Sequence, residues 1–160
     1  PMIDIRLPAP KWIIFCLAKA LKAYYDTPHY VPLGTPYHEE TFLDNRITHD
    51  EMRYKRYLQA YRDHPQAQLG SPSNEWLRES LEQTDRLFEN IKKLTTPCLI
   101  LQAEDEKIVS NQAQNEFTEA SPQVTLERIS GAQHQILLER DSVRSQVILK
   151  TITYFEQYAQ

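Results

Sequence analysis

The stretch Thr96-Pro-Cys-Leu-Ile-Leu-Gln-Ala-Glu-Asp-Glu-Lys-Ile-Val109 decides the fold of this 160-residue chain. Residues 98–102 form a short, nearly continuous apolar run after a proline, which predicts a strand buried on both faces, as in a parallel sheet. The run leads directly into Glu104, Asp105 and Glu106. In open α/β sheets, ligands and catalytic groups lie at the carboxyl ends of the strands. The stretch therefore predicts a buried strand that presents carboxylates to a functional site.

A lone histidine follows a second predicted strand. Residues 123–129 alternate well enough for a strand, and His134 comes shortly after them, in Gly131-Ala-Gln-His-Gln-Ile-Leu137. Residues 111–120 and 141–158 read as helices, the second with an apolar stripe of Val143, Val147, Ile148, Ile152 and Phe155. The order strand–helix–strand–helix predicts parallel strands. An acid at one strand end and a histidine at the next are typical of a nucleophile–histidine–acid system.

Residues 8–94 are predicted to be mainly helical, with a boundary near residues 95–97. The helix predicted over residues 11–25 has apolar side chains around more than half of its circumference, so it is either buried or offers apolar surface to a ligand. Residues 26–45 read as a long functional loop. Thr48 as N-cap and Glu51 form a capping-box pattern for a helix that ends near His64. Ser73 caps a further helical stretch to about residue 94, with a break near Thr84 as an alternative.

Composition excludes several classes of function. The net charge of −4 with dispersed Lys and Arg offers no basic patch for nucleic acid. Three glycines cannot form a Gly-rich phosphate loop, and the histidines and cysteines show no metal-ligand spacing, so we expect neither cofactor nor metal. Cys16 and Cys98 are interpreted as small buried hydrophobes in a reducing, cytoplasmic compartment. The apolar run at residues 12–21 is too short for a membrane span.

The choice among the acidic residues rests on the residues that come after them. Neighbouring carboxylates often form no more than a solvated turn, but their place at a strand end favours a catalytic acid. Glu106 directly precedes Lys107-Ile-Val, where the chain returns to the core, so it is the preferred acid; Asp105 is held in reserve. His134 is the candidate general base. A nucleophile is missing: a G-x-S-x-G elbow cannot be written, because no two glycines lie four apart.

Both motifs resemble those of serine α/β-hydrolases. Leu99-Ile-Leu-Gln-Ala-Glu-Asp-Glu-Lys-Ile-Val109 and Ile129-Ser-Gly-Ala-Gln-His-Gln-Ile-Leu-Leu-Glu-Arg-Asp141 are similar to the acid and histidine motifs of the monoacylglycerol lipase and lysophospholipase group, including its bacterial L-two type. Residues 44–54 and 70–77 resemble segments of that group's cap. The resemblance implies the C-terminal part of an α/β-hydrolase fold: residues 1–7 end a core strand, residues 8–95 form a mostly helical cap, and residues 96–160 form the last parallel strands and helices.

The resemblance also implies an activity. The parent protein would be an ester hydrolase of lysophospholipids or monoacylglycerols, with His134 as base and Glu106 at a position where the group more often has aspartate. The nucleophile and oxyanion hole would lie outside this chain, so we expect the isolated chain to be inactive. We also expect it to bind a missing N-terminal half or to self-associate. From the apolar helix, Phe15 and Leu21 are candidates for the acyl site, and peripheral membrane contact is kept open. The alternatives are a hydrolase of short soluble esters and a non-catalytic interaction module.

Overall fold

The computed structural model describes residues 10, 12, 13, 16, 17, 19, 20 and 29–158. Its helices and strands are α1 (Glu51–Asp63), α2 (Asn74–Asn90), β1 (Cys98–Ala103), α3 (Asn111–Glu119), β2 (Val124–Ile129) and α4 (Asp141–Glu156). Short 3-10 turns lie at Pro65–Ala67, Ile91–Lys93 and Ile136–Leu138. The described residues of the stretch 12–20 are helical, as predicted. The predictions for residues 1–7, Phe15 and Leu21 lie outside the described residues.

The two strands of the described sheet pair in parallel, in a register that runs from Cys98 opposite Val124 to Ala103 opposite Ile129. This confirms the predicted parallel order. Because side chains alternate across a strand, the two faces of the sheet carry separate cores. On one face, Val124 packs with Phe117 of α3 and with Ile91. On the other face, Ala103 and Ile129 pack with Val147 of α4.

The prediction that β1 is buried on both faces is too strong, and the apolar stripe of α4 is only partly covered. In β1 only Gln102 and Ala103 are buried, while Cys98–Leu101 are half-buried, because β2 pairs with one edge of β1 and the described sheet has no strand on the other. In α4, Val147 is buried and Val143 packs beside it. The remaining residues of the predicted stripe are exposed, namely Ile148, Ile152 and Phe155. The described part of the chain therefore leaves an apolar face of α4 uncovered.

The N-terminus of α1 differs from the capping-box prediction. Asp50, not Thr48, is the N-cap, and its side chain accepts from the backbone amide of Arg53. Thr48 is buried; its hydroxyl donates to the carbonyl of Leu138 at 2.9 Å and accepts from the amide of Asp50 at 3.0 Å. The helix ends at Asp63, close to the predicted end. The start of α1 is thereby attached to the loop that follows β2.

The second helix follows the sequence pattern closely. Ser73 is the N-cap of α2, with its hydroxyl accepting from the amide of Trp76 at 3.1 Å. The helix continues without a break to Asn90, so the alternative of a break near Thr84 is wrong. Leu77 and Leu81 supply its buried face.

Cys16 is exposed and Cys98 is half-buried, so the interpretation of both as buried hydrophobes is wrong. The exposure of Cys16 is shared by its described apolar neighbours Trp12, Ile13 and Leu17. Among the described residues, no helix has the length and apolar character needed to cross a membrane.

Candidate active site

The acidic turn after β1 closes around one carboxylate. Glu106 Oε1 accepts hydrogen bonds from the backbone amides of Lys107, Ile108 and Val109, at 2.8, 2.7 and 3.2 Å. The side chain of Glu106 is only 4% exposed. Backbone amides of the same turn therefore fix the carboxylate in one orientation, and its second oxygen is left for another partner.

The histidine loop after β2 is attached to the acidic turn. Glu104 Oε2 accepts from the Ser130 hydroxyl at 2.7 Å and from the Gly131 amide at 3.1 Å. The amide of Asp105 donates to the carbonyl of Ala132 at 2.9 Å. Gly131 has a φ of +69°, in the region where residues with a side chain are strained. The two strand ends are thus connected by hydrogen bonds from Glu104 and Asp105 to residues 130–132.

These contacts bring Glu106 and His134 together. His134 Nδ1 lies 2.9 Å from Glu106 Oε2, and the imidazole is about one-third exposed, at 33%. An ionised carboxylate only accepts hydrogen bonds, so Nδ1 carries the proton in this pair. Nε2 is then the nitrogen with a free lone pair, which is the arrangement that a general base requires.

The environment of Glu106 favours its charged form. Burial is the largest single effect and raises the pKa of the carboxyl group, but the Ile108 amide, His134 and the Val109 amide together outweigh it and lower the pKa below its usual value. At the partly exposed Glu104, the hydrogen bond from Ser130 is the main cause of a lowered pKa. The acid beside His134 is therefore ionised at neutral pH.

The structure separates the two acids that the sequence left open. Asp105 is 53% exposed on its side chain, and its Oδ2 lies 3.3 Å from Nε2 of His49, not beside His134. Sequence reasoning missed His49 and also Glu139, which is fully buried beside it. The one signal in the sequence was for Glu139: it is a charged residue directly after the apolar residues Ile136-Leu-Leu138. Among the described residues, no group of three or more His, Cys, Asp or Glu side chains could hold a metal ion.

Comparison with known proteins gives a consistent family. The model of the Hydrolase_4 family, described as serine aminopeptidase, S33, matches residues 1–141. The chain is 35% identical over 124 residues to lysophospholipase L2 of Escherichia coli K12, a match that covers 73% of this chain and 36% of that protein. It is 38% identical over 111 residues to a probable lysophospholipase L2 of Haemophilus influenzae, covering 69% of this chain and 35% of that one. The chain thus spans about a third of the length of these curated relatives.

A solved structure supports the fold. A soluble variant of monoglyceride lipase from Saccharomyces cerevisiae, in complex with a substrate analog, superposes with a TM-score of 0.62 at 18% identity, covering 89% of this chain and 48% of that one. At this identity the likeness concerns the fold alone, and it agrees with the parallel β1–β2 pair and its flanking helices. This chain is similar to lysophospholipases L2; it belongs to the Hydrolase_4 family and carries part of an α/β-hydrolase fold.

Proposed function

We propose that this chain supplies the general base and its orienting acid to a serine ester hydrolase that acts on lysophospholipids or monoacylglycerols. The observation that carries the proposal is the 2.9 Å hydrogen bond between His134 Nδ1 and the buried carboxylate of Glu106. The proposed substrate class, lysophospholipids or monoacylglycerols, is supported by the two relatives named as lysophospholipases and by the fold shared with a monoglyceride lipase.

In the proposed reaction, the serine lies outside these 160 residues. His134 Nε2 accepts the proton of the serine hydroxyl as its oxygen attacks the ester carbonyl, and the negative charge of Glu106 stabilises the resulting imidazolium. The imidazolium then returns the proton to the oxygen of the leaving alcohol, which leaves an acyl-serine. Water, deprotonated by the same nitrogen, releases the fatty acid and restores the serine.

The acyl chain would bind against the apolar N-terminal helix. Trp12 and Leu17 expose 68% and 48% of their surface, which is the apolar area that an acyl chain or a lipid aggregate would cover. We place Phe15 and Leu21 in this acyl site because they belong to the same apolar stretch. The same side chains would make the peripheral contact with a membrane. In this proposal, residues 8–95 act as the cap and residues 96–160 as the core.

The remainder of the hydrolase is the proposed partner. The apolar face of α4 exposes 50% of Ile152 and 66% of Phe155, and β1 has a free edge in the described sheet. Such surfaces favour association with further strands and helices. We therefore propose that the 160-residue chain alone is inactive and self-associates, whereas the full-length protein is active. Light scattering of the isolated chain tests this, and an active monomer would overturn it.

The substrate class is tested by the full-length protein with lysophospholipids, monoacylglycerols and short p-nitrophenyl esters. We expect kcat/KM to rise with acyl length and to be lost in His134→Ala, while the exposed His64→Ala variant retains it. A preference for the short soluble esters would replace the lipid substrate by that class. Absence of any hydrolysis, together with no labelling by a serine-directed fluorophosphonate, would leave a non-catalytic interaction module.

A further inference from the structure

Glu139 is a fully buried carboxylate that the proposed reaction does not use. It is 0% exposed and follows the Ile136–Leu138 turn, close after His134. Its Oε1 accepts from the backbone amide of Gln133 at 2.9 Å and from that of His49 at 3.0 Å. A buried carboxylate is tolerated only where it is paired and hydrogen-bonded. The groups that satisfy Glu139 therefore indicate what it holds in place.

His49 connects this carboxylate to the acidic turn. Its Nδ1 lies 3.2 Å from Glu139 Oε1, and its Nε2 lies 3.3 Å from Asp105 Oδ2. The contact with Glu139 is a hydrogen bond, and the contact with Asp105 is at ion-pair distance. Asp105 directly precedes Glu106, and Gln133 directly precedes His134. A continuous series of contacts thus runs from the residue before the base to the residue before the acid.

The backbone on both sides of His134 is held by residues 47–49, which we call the bracing segment. On one side, Gln133 is bound by Glu139, which also binds the amide and ring of His49. On the other side, the amide of Gln135 donates to the carbonyl of Ile47 at 2.9 Å. The bracing segment belongs to the region before α1, far from His134 in sequence. The links between the two strand ends involve residues 130–132, whereas the contacts of Glu139 and the bracing segment involve Gln133 and Gln135, on either side of His134.

We propose that Glu139 and His49 are positioning residues, which set the separation of the His134 loop from the Glu106 turn. This inference rests on the proposed function for the identity of the reacting pair. The strand-end links act before Gln133, so without the brace the loop is free to move His134 away from Glu106. A misplacement of the order of 1 Å can cost roughly 100-fold in rate. Loss of these contacts would lower kcat and leave KM nearly unchanged, since neither the Glu139 nor the His49 side chain is required to touch the substrate.

The test uses three substitutions of His49 in the full-length protein. His49→Ala removes both side-chain contacts. His49→Asn places an amide nitrogen near the position of Nδ1 and keeps the contact with Glu139, whereas His49→Gln reaches toward Asp105 instead. We expect His49→Ala to lower kcat by about 10- to 100-fold with little change in KM, and His49→Asn to recover most of it. His64→Ala, an exposed histidine beyond the end of α1, is the matched control.

A second measurement is independent of substrate. We expect the Nδ1 proton of His134, hydrogen-bonded to Glu106, to give a low-field proton NMR signal in the full-length protein. We expect this signal to broaden or shift in His49→Ala and in Glu139→Gln, which keeps the side-chain volume, and to be unchanged in His64→Ala. Thermal unfolding and active-site labelling of each variant correct the rates for loss of folded protein.

The outcomes separate the two proposals. If the wild-type protein is inactive but the His134 signal shifts in His49→Ala, the positioning role is upheld and the proposed lipid hydrolysis is removed. An active wild-type protein whose kcat and His134 signal are unchanged in His49→Ala would uphold the hydrolysis and overturn the positioning role. A loss of kcat that disappears on correction for folded protein would also overturn it, because a purely structural role predicts that result.

Discussion

The substitution Glu106→Gln has a result that the geometry determines in detail. Oε1 of Glu106 accepts three backbone amides of its own turn, so the glutamine must place its carbonyl oxygen there. Its NH2 group then takes the position of Oε2, 2.9 Å from His134 Nδ1. An NH2 group donates and does not accept. Nδ1 must therefore become the acceptor, and the proton moves to Nε2.

That tautomer cannot act as the base. With Nε2 protonated, His134 has no lone pair to accept the serine proton. Reversing the tautomer by an acid-to-amide change in a serine triad costs about 10⁴-fold in kcat, which is about 5 kcal/mol of transition-state stabilisation. We expect a loss of that size in the full-length protein, with a small change in KM because Glu106 is buried behind the histidine.

The assay is steady-state hydrolysis of a monoacylglycerol, combined with the rate of labelling by a fluorophosphonate. Glu119→Gln, at the exposed end of α3, makes the same chemical change away from the site and should leave both rates unchanged. If Glu106→Gln kept more than about one-tenth of kcat, a loss below about 1.4 kcal/mol, the assignment of Glu106 as the orienting acid would be refuted. Asp105→Asn would then be the next variant to measure.

Three further predictions concern stability. The pKa of Glu106 is lower in the folded protein than its ordinary value near 4.5, so the ionised carboxylate stabilises the fold at a pH above that value, and this contribution is lost as the pH falls through the folded pKa. The difference in melting temperature between wild type and Glu106→Gln should therefore shrink in that range. A difference that stays constant with pH would contradict this. Phe117→Ala should cost about 3–5 kcal/mol in urea unfolding, since Phe117 is buried and packs edge-to-face on Phe88 at 5.6 Å; a cost below about 1 kcal/mol would mean that this face of the sheet is loosely packed. Ser73→Ala should cost about 1 kcal/mol through loss of the N-cap of α2, whereas Ser73→Asn should cost much less, and equal costs would deny the capping role.

The elements predicted well are those that local sequence determines. The parallel strands follow from an apolar run and an alternating segment separated by a helix, and their pairing over six positions agrees with that pattern. The preference for Glu106 over Asp105 rested on where the chain returns to the core. In the structure this is the turn whose amides bind Glu106. The partners of this carboxylate, apart from His134, lie within three residues of it, so local sequence carries most of its geometry, while its catalytic role stays a prediction.

The features that were missed depend on contacts between distant residues. Thr48 has the residue type of an N-cap, but its hydroxyl donates to Leu138, 90 residues away, and Asp50 takes the cap. Glu139 reads as an ordinary charged residue, because its partner His49 lies 90 residues away and is brought to it only by the fold. No spacing rule connects residues so far apart.

The contacts around His134 and the uncovered edge of the sheet bear on different requirements of the proposed enzyme. The pairing of His134 with Glu106 is held by hydrogen bonds within this chain, at the strand ends and through Glu139. Most of β1 is half-buried in the described sheet, and a further strand beside its free edge would bury more of it. In the proposed enzyme, the remaining part of the protein would contribute the serine and cover the sheet, while residues of this chain would orient the base.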